Sequence, residues 1–267
     1  MMINDNVLTV DLVSNLNRRT LPYKAILPPG YADGGRKFPV LYLLHGLFGS
    51  FENWVANTGI VGYARKHSFL IVCPEGGDNW YSDNPNRPHS FFESYFFREL
   101  IPDVEERFDV RRDRPNRAVG GLSMGGYAAF KFAFRRPEMF ALAVSMSGAF
   151  DIVSFLKNEN DQWAELQPSI EEAFGGRSAE LLTRDDLFHL AENHPEEKIA
   201  GLPRFYFDCG RDDSFLPINR RFSAGLKRRG IVHRFREFDG GHDWDYWDRR
   251  IEPVLEIISE VFEKPAD

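Results

Sequence analysis

The feature that most constrains this chain is a recurrence: short apolar runs of strand length, separated by stretches whose apolar residues return every three or four positions. Phe38 to His45 (FPVLYLLH) follows Pro28, Pro29 and the Gly34-Gly35 pair, and lacks the polar alternation of a half-exposed strand, so it is expected to be buried on both faces. Comparable runs occur at Phe69 to Cys73, Arg117 to Gly120, Ala141 to Ser147, Arg204 to Asp208 and Val232 to Phe238, with weaker ones at Val7 to Val13 and Leu21 to Leu27. Between them, Phe97, Leu100, Val104 and Phe108 predict one helical face and Ile218, Phe222 and Leu226 another. Trp247, Ile251, Val254, Ile258 and Phe262 predict a last helix, which Pro253 is expected to kink or break. Strands alternating with helices imply the α/β class, with an eight-stranded, mostly parallel sheet flanked by helices.

The stretch Phe150 to Gly201 departs from this alternation and is rich in charge, so it is read as a small helical cap inserted into one domain spanning 1–267. Lys and Arg number 33 against 40 Asp and Glu, a net charge of −7 that offers no attraction for nucleic acid or an anionic membrane surface. A small-molecule partner fits better, and a homo-oligomer is compatible with the sequence. Cys73 and Cys209 are expected to be buried thiols. Met1 to Asn17 carries Asp5 and Asp11 and lacks the basic start and apolar run of a signal peptide, so a cytoplasmic location is expected.

Gly121-Leu122-Ser123-Met124-Gly125-Gly126 contains G-x-S-x-G, in which small flanking residues let a strand turn sharply into a helix and leave the serine oxygen exposed. The context fits: Ala118 to Gly120 reads as a buried strand and Tyr127 to Phe134 as an amphipathic helix ending near Pro137. That places Ser123 at a helix start, where free N–H groups stabilise developing negative charge. A serine hydroxyl needs an imidazole to accept its proton during attack. In the α/β-hydrolase fold the order is serine, acid, histidine, which leaves His189, His194, His233 and His242. His189 and His194 fall in the cap and His233 within a strand, whereas His242 follows the last strand in the glycine-flanked loop Asp239-Gly240-Gly241-His242. The acid is expected beyond the preceding strand, where Cys209-Gly210-Arg211-Asp212-Asp213 offers Asp213 as the choice and Asp212 as its rival. Asp208 lies on the strand itself and fits less well. Two main-chain donors complete such a site, one from the residue after the serine and one from the loop after the third strand: Met124 and Leu47. His45 is expected to support that loop through a hydrogen bond.

LPPGY at Leu27 to Tyr31, PVLYLLHG at Pro39 to Gly46, ELIPDVE at Glu99 to Glu105, GLSMGG, the CGRDD segment and GGHDWDYW at Gly240 to Trp247 occur in this order. With these motifs the chain resembles the putative-esterase family, which includes esterase D and S-formylglutathione hydrolases, feruloyl and acetylxylan esterases and mycolyltransferases. It is most similar to the compact bacterial short-chain esterases. The resemblance implies a catalytic triad of Ser123, Asp213 and His242, an oxyanion hole of Leu47 and Met124, and hydrolysis of small carboxylic esters through an acyl-enzyme. Acyl transfer to another alcohol and thioester hydrolysis of the S-formylglutathione type are the alternative reactions; a catalytically silent binding protein is the alternative class.

Phe48, Trp54, Trp80, Tyr81, Phe150, Trp163, Trp244 and Trp247 sit at loop positions facing the expected cleft, and Phe48, Trp54 and Trp244 are the candidate substrate contacts. With 24 phenylalanines in the chain, most aromatics must nevertheless be core. Asp243, Asp245 and Asp248 lack the spacing of a metal loop and read as helix-start residues; neither a metal nor another cofactor is expected.

Overall fold

The computed structural model describes residues 6–157, 163–176 and 183–264. Its eight strands are β1 (Val7–Ser14), β2 (Arg19–Ile26), β3 (Val40–Leu44), β4 (Leu70–Pro74), β5 (Arg117–Leu122), β6 (Leu142–Met146), β7 (Arg204–Gly210) and β8 (His233–Phe238). They form one sheet in the order β1-β2-β4-β3-β5-β6-β7-β8. β1 and β2 pair antiparallel and β2 meets β4 antiparallel, while every pairing from β4 through β8 is parallel. β3, β4, β5 and β6 are buried throughout, because helices cover both of their faces.

The period-two geometry of a strand sorts the core into two layers. Val40, Tyr42, Leu44, Leu70, Val72 and Val119 face one layer; Leu41, Leu43, Ile71, Cys73 and Ala118 face the other. The first layer is covered by α1 (Ile101–Arg107), α2 (Met124–Arg135), the shorter α3 (Ile152–Lys157), α4 (Gln167–Phe174) and α5 (Leu187–Glu192), and by α6 (Leu216–Arg228). The second is covered by α7 (Trp244–Glu263) together with the short helices Asn53–Asn57 and Ile60–Tyr63. α3, α4 and α5 all lie within the segment expected to form a cap. Both cysteines are free and buried.

The predicted break at Pro253 does not occur: α7 runs unbroken for 20 residues. Proline removes one hydrogen bond and crowds the preceding turn, at a cost of about 3 kcal/mol. Ile251, Val254, Leu255 and Ile258 around it are fully buried, and at about 1.5–3 kcal/mol per side chain their burial outweighs that cost. Asp243 caps the helix, accepting the Tyr246 N–H at 2.8 Å. Asp248 ties it to the short helices by accepting the Gly59 N–H at 2.7 Å and the Tyr63 hydroxyl at 3.2 Å.

Candidate active site

Parallel strands bring their carboxyl ends to a common edge, and the loops leaving β3, β5, β7 and β8 meet there. Ser123 lies between β5 and α2 with φ 51° and ψ −116°, a strained conformation for a residue with a side chain. The turn is possible because its neighbours are glycines: a Cβ on Gly121 would stand 2.6 Å from the Gly125 carbonyl carbon, and one on Gly125 2.6 Å from the Leu44 and His45 oxygens. A serine preceding a helix ordinarily caps it with Oγ. Here Oγ makes no capping bond and instead lies 3.0 Å from His242 Nε2.

His242 Nδ1 lies 2.9 Å from Asp213 Oδ2. Nδ1 therefore carries the ring proton toward the carboxylate, which leaves the Nε2 lone pair for the serine hydroxyl. The ring is held edge-on by Phe215 (centroids 4.7 Å apart) and Trp247 (5.0 Å). Asp213 is buried, and its Oδ1 accepts the Phe215 N–H at 2.8 Å. Burial by itself would raise this carboxyl, but the hydrogen bond and attraction of His242, the Phe215 N–H and the Ser147 hydroxyl together hold it below its ordinary value. Its neighbours are occupied elsewhere. Asp212 is exposed, and Asp208 accepts from the Tyr206 and Tyr246 hydroxyls and Arg250 at 2.8–3.2 Å. Of the other histidines considered, His189 meets Asn193 and His233 meets Ser223, both away from Ser123.

Leu47 sits in a turn closed by the Gly49 N–H on the Gly46 carbonyl (3.1 Å), with Phe48 at φ 59°. Two contacts fix this loop. The Asp78 carboxylate accepts the Phe48 N–H at 2.6 Å, and buried His45 bridges the loop to the next one, Nδ1 on the Gly46 carbonyl (2.8 Å) and Nε2 receiving the Gly76 N–H (2.9 Å). Met124 is the first residue of α2, so its N–H has no partner one turn back in the helix; its side chain is buried beneath the site.

A cleft of about 600 Å³ opens over Ser123 and His242. Phe48, Trp163, Phe215, Trp244 and Trp247 give it aromatic walls, and Glu165 and Asp243 are its carboxylates. Among the described residues no lysine or arginine lines it. Trp54, a candidate substrate contact, does not reach this space: it is fully buried, donates its indole N–H to the Leu44 carbonyl (3.1 Å) and backs Trp244 edge-on. Its side chain is drawn inward because the Leu44 carbonyl at the end of β3 supplies the buried acceptor an indole needs. Trp80, Tyr81 and Phe150 are likewise core. A larger cavity of about 800 Å³ lies at the opposite ends of β6, β7 and β8, between Arg114, Arg204, Arg229 and Val232, and contains no nucleophile or imidazole. Phe215, Glu165 and Ser147 were not singled out from sequence. For Ser147 the only available signal was its place just past the carboxyl end of an apolar strand.

A serine on a strained strand-to-helix turn, within reach of an imidazole and backed by a buried carboxylate on this sheet, defines the α/β-hydrolase class. The family model described as "Putative esterase" matches residues 14–256. The chain is 27% identical over 265 residues to an acetyl esterase of Caldicellulosiruptor saccharolyticus, covering 96% of this chain and 98% of the relative. It is 32% identical over 248 residues to an esterase of Mycobacterium tuberculosis, covering 81% of this chain but 51% of that longer protein. A solved ferulic acid esterase superposes with a TM-score of 0.80 at 28% identity, covering 96% of this chain and 98% of that one. The chain belongs to the putative esterase family, and it is a carboxylic ester hydrolase. Among the described residues no helix is long and apolar enough to cross a membrane.

Proposed function

We propose that Ser123 is the nucleophile, His242 the general base and Asp213 its orienting acid, acting on small uncharged carboxylic esters. The observation that carries this is the continuous hydrogen-bonded line from Ser123 Oγ to His242 (3.0 Å) to Asp213 (2.9 Å) at the floor of the aromatic cleft. Ser123 attacks the ester carbonyl while His242 takes its proton and delivers it to the leaving alcohol; water then releases the acid by the reverse sequence. The Leu47 and Met124 N–H groups receive the oxyanion in both steps.

The substrate class follows from the walls. Flat aromatic surfaces favour acyl groups or rings that stack, while Glu165 and Asp243 disfavour anions, including the glutathione carboxylates of a formylglutathione thioester. The same field helps to expel the carboxylate product. The segment between Phe150 and Gly201 is proposed as a cap on the single domain, since its Trp163, Glu165 and Leu166 form one wall of the cleft. Changing Ser123 to Ala should lower turnover of p-nitrophenyl acetate by about a million-fold. Full activity in that variant, or a preference for S-formylglutathione over acetyl and feruloyl esters, would overturn the reading.

A further inference from the structure

Ser147 is the first residue past β6, wedged between the turn that carries Ser123 and the strand that leads to Asp213. It is completely buried and has φ 52°, a backbone conformation that residues with a side chain rarely adopt. The strain is fixed from both sides. Its N–H donates to the Asp208 carbonyl on β7 (2.8 Å), while the Ser123 N–H donates to the carbonyl of the preceding Met146 (2.9 Å). The Trp247 indole N–H donates to Ser147 Oγ (3.2 Å), and the same hydroxyl is among the groups that hold the Asp213 carboxyl below its ordinary value. Because an indole nitrogen can only donate, Oγ must be the acceptor in the first contact, which leaves its own proton free for Asp213.

We infer that Ser147 is a positioning residue for ester hydrolysis, the fourth member of a chain running Ser123, His242, Asp213, Ser147 and Trp247. This rests on the proposed triad. Trp247 contributes twice, since its ring edge also packs on the His242 imidazole (centroids 5.0 Å apart). A serine is retained at a glycine-favouring φ because the hydroxyl is used there. It adds to the His242 ring and the Phe215 N–H as a group that stabilises the Asp213 charge, and so holds the carboxylate where Oδ2 meets Nδ1. The titratable groups facing Asp213 are His242 from the loop after β8 and Cys209 from β7, a thiol that burial and the nearby Asp213 charge push up. Asp208, its neighbour on β7, points to the opposite face of the sheet, toward Tyr206 and Tyr246. None of these supplies a replacement for the Ser147 hydroxyl.

The test uses Ser147→Gly, which suits the positive φ and removes only the hydroxyl and its carbon, with Ser147→Ala as a second variant. Both should fold, lose about tenfold in kcat at little changed KM, as expected for one hydrogen bond to a charged group, and shift the acid limb of the kcat/KM profile to higher pH. The shift arises because a carboxylate that has lost a donor stabilises the imidazolium more strongly. Trp247→Phe, which keeps a ring beside His242 but removes the indole N–H, should move the same limb in the same direction by less. Folded Ser147 variants with the wild-type kcat and acid limb, in a background where Ser123→Ala is inactive, overturn this inference alone. An active Ser123→Ala overturns the triad as well.

Discussion

Replacing Gly125 with alanine tests whether catalysis depends on sub-ångström seating of the serine turn against β3. A Cβ at this position would stand 2.6 Å from the carbonyl oxygens of both Leu44 and His45, about 0.8 Å inside the 3.4 Å at which ordinary contact begins. Both oxygens belong to backbone, so no side chain can rotate away. Either α2 lifts off β3 or the loop carrying Leu47 moves. Helix propensity favours alanine by about 1 kcal/mol and overpacking costs about 1–3 kcal/mol, so the net loss of stability is about 0–2 kcal/mol, a few degrees in Tm. The same displacement separates Ser123 from the donors of the neighbouring loop. A misplacement near 1 Å costs about a hundredfold in rate, so activity should fall much further than stability. Gly225→Ala is the control: it lies within α6, its nearest contact is the Arg228 side chain at 3.7 Å, and alanine there should stabilise slightly without touching activity. The assay is kcat/KM on p-nitrophenyl acetate beside thermal unfolding of both variants. A Gly125→Ala protein with kcat/KM within about threefold of wild type would refute the reasoning, since the full loss expected is nearer a hundredfold.

Trp54→Phe should lower stability by about 1–3 kcal/mol, through the lost indole bond to Leu44 and poorer packing, while KM stays unchanged; a rise in KM would place Trp54 at the substrate after all. Because Asp213 is held below its unfolded value near 3.8, the stability it contributes is present above that pH and is lost as pH falls through its folded value. The gap in urea stability between wild type and Asp213→Asn should therefore close on acidification, and a constant gap would contradict it. Burial raises Tyr42, Tyr81, Tyr127 and Tyr246 far above their ordinary 10.0, so their contribution is intact below pH 10 and lost above it. Tyrosinate absorbance should then appear together with unfolding seen by circular dichroism, not before it. Phe48→Gly relieves a positive φ at a residue that is 74% exposed, so Tm should rise or hold while kcat/KM falls as the cleft loses a wall; a fall in Tm would show that the strain is misjudged.

The sheet was legible because burial on both faces leaves a simple trace: each of the eight apolar runs overlaps one of β1 to β8, and the chemistry-bearing loops follow from their carboxyl ends. What the sequence hid was side-chain direction. Trp54 and Trp244 both follow glycine-rich loops, yet one points inward to the Leu44 carbonyl and the other lines the cleft, a difference set by a backbone acceptor that only the assembled sheet provides. The break allowed for at Pro253 failed for a related reason, since the local penalty of a proline is visible in sequence while the burial of Ile251, Val254, Leu255 and Ile258 depends on the second face of the sheet. Ser147 left almost no signal, because its importance lies in its proximity to residues 66 and 100 positions away, Asp213 and Trp247.

The distribution of backbone strain adds a reason for the site's location. Among non-glycine residues with positive φ, Phe48, Trp80, Tyr81, Ser123 and Ser147 follow β3, β4, β5 and β6, and so crowd the carboxyl edge of the sheet. A strand continued in extended form would carry its next side chain away from its neighbours; a residue with positive φ turns the chain back across the edge, so that side chains from separate strands converge. Glycine would take such a conformation without strain, at about 1–3 kcal/mol saved per position, but it would delete the groups that converge. Ser123 would lose the hydroxyl that meets His242, Ser147 the one that meets Trp247, and Tyr81 the one that accepts the His45 N–H at 3.1 Å beneath the Leu47 loop. The paired strands and the two core layers hold these residues in place, which is how a stable sheet supports a locally unfavourable backbone where the chemistry requires one.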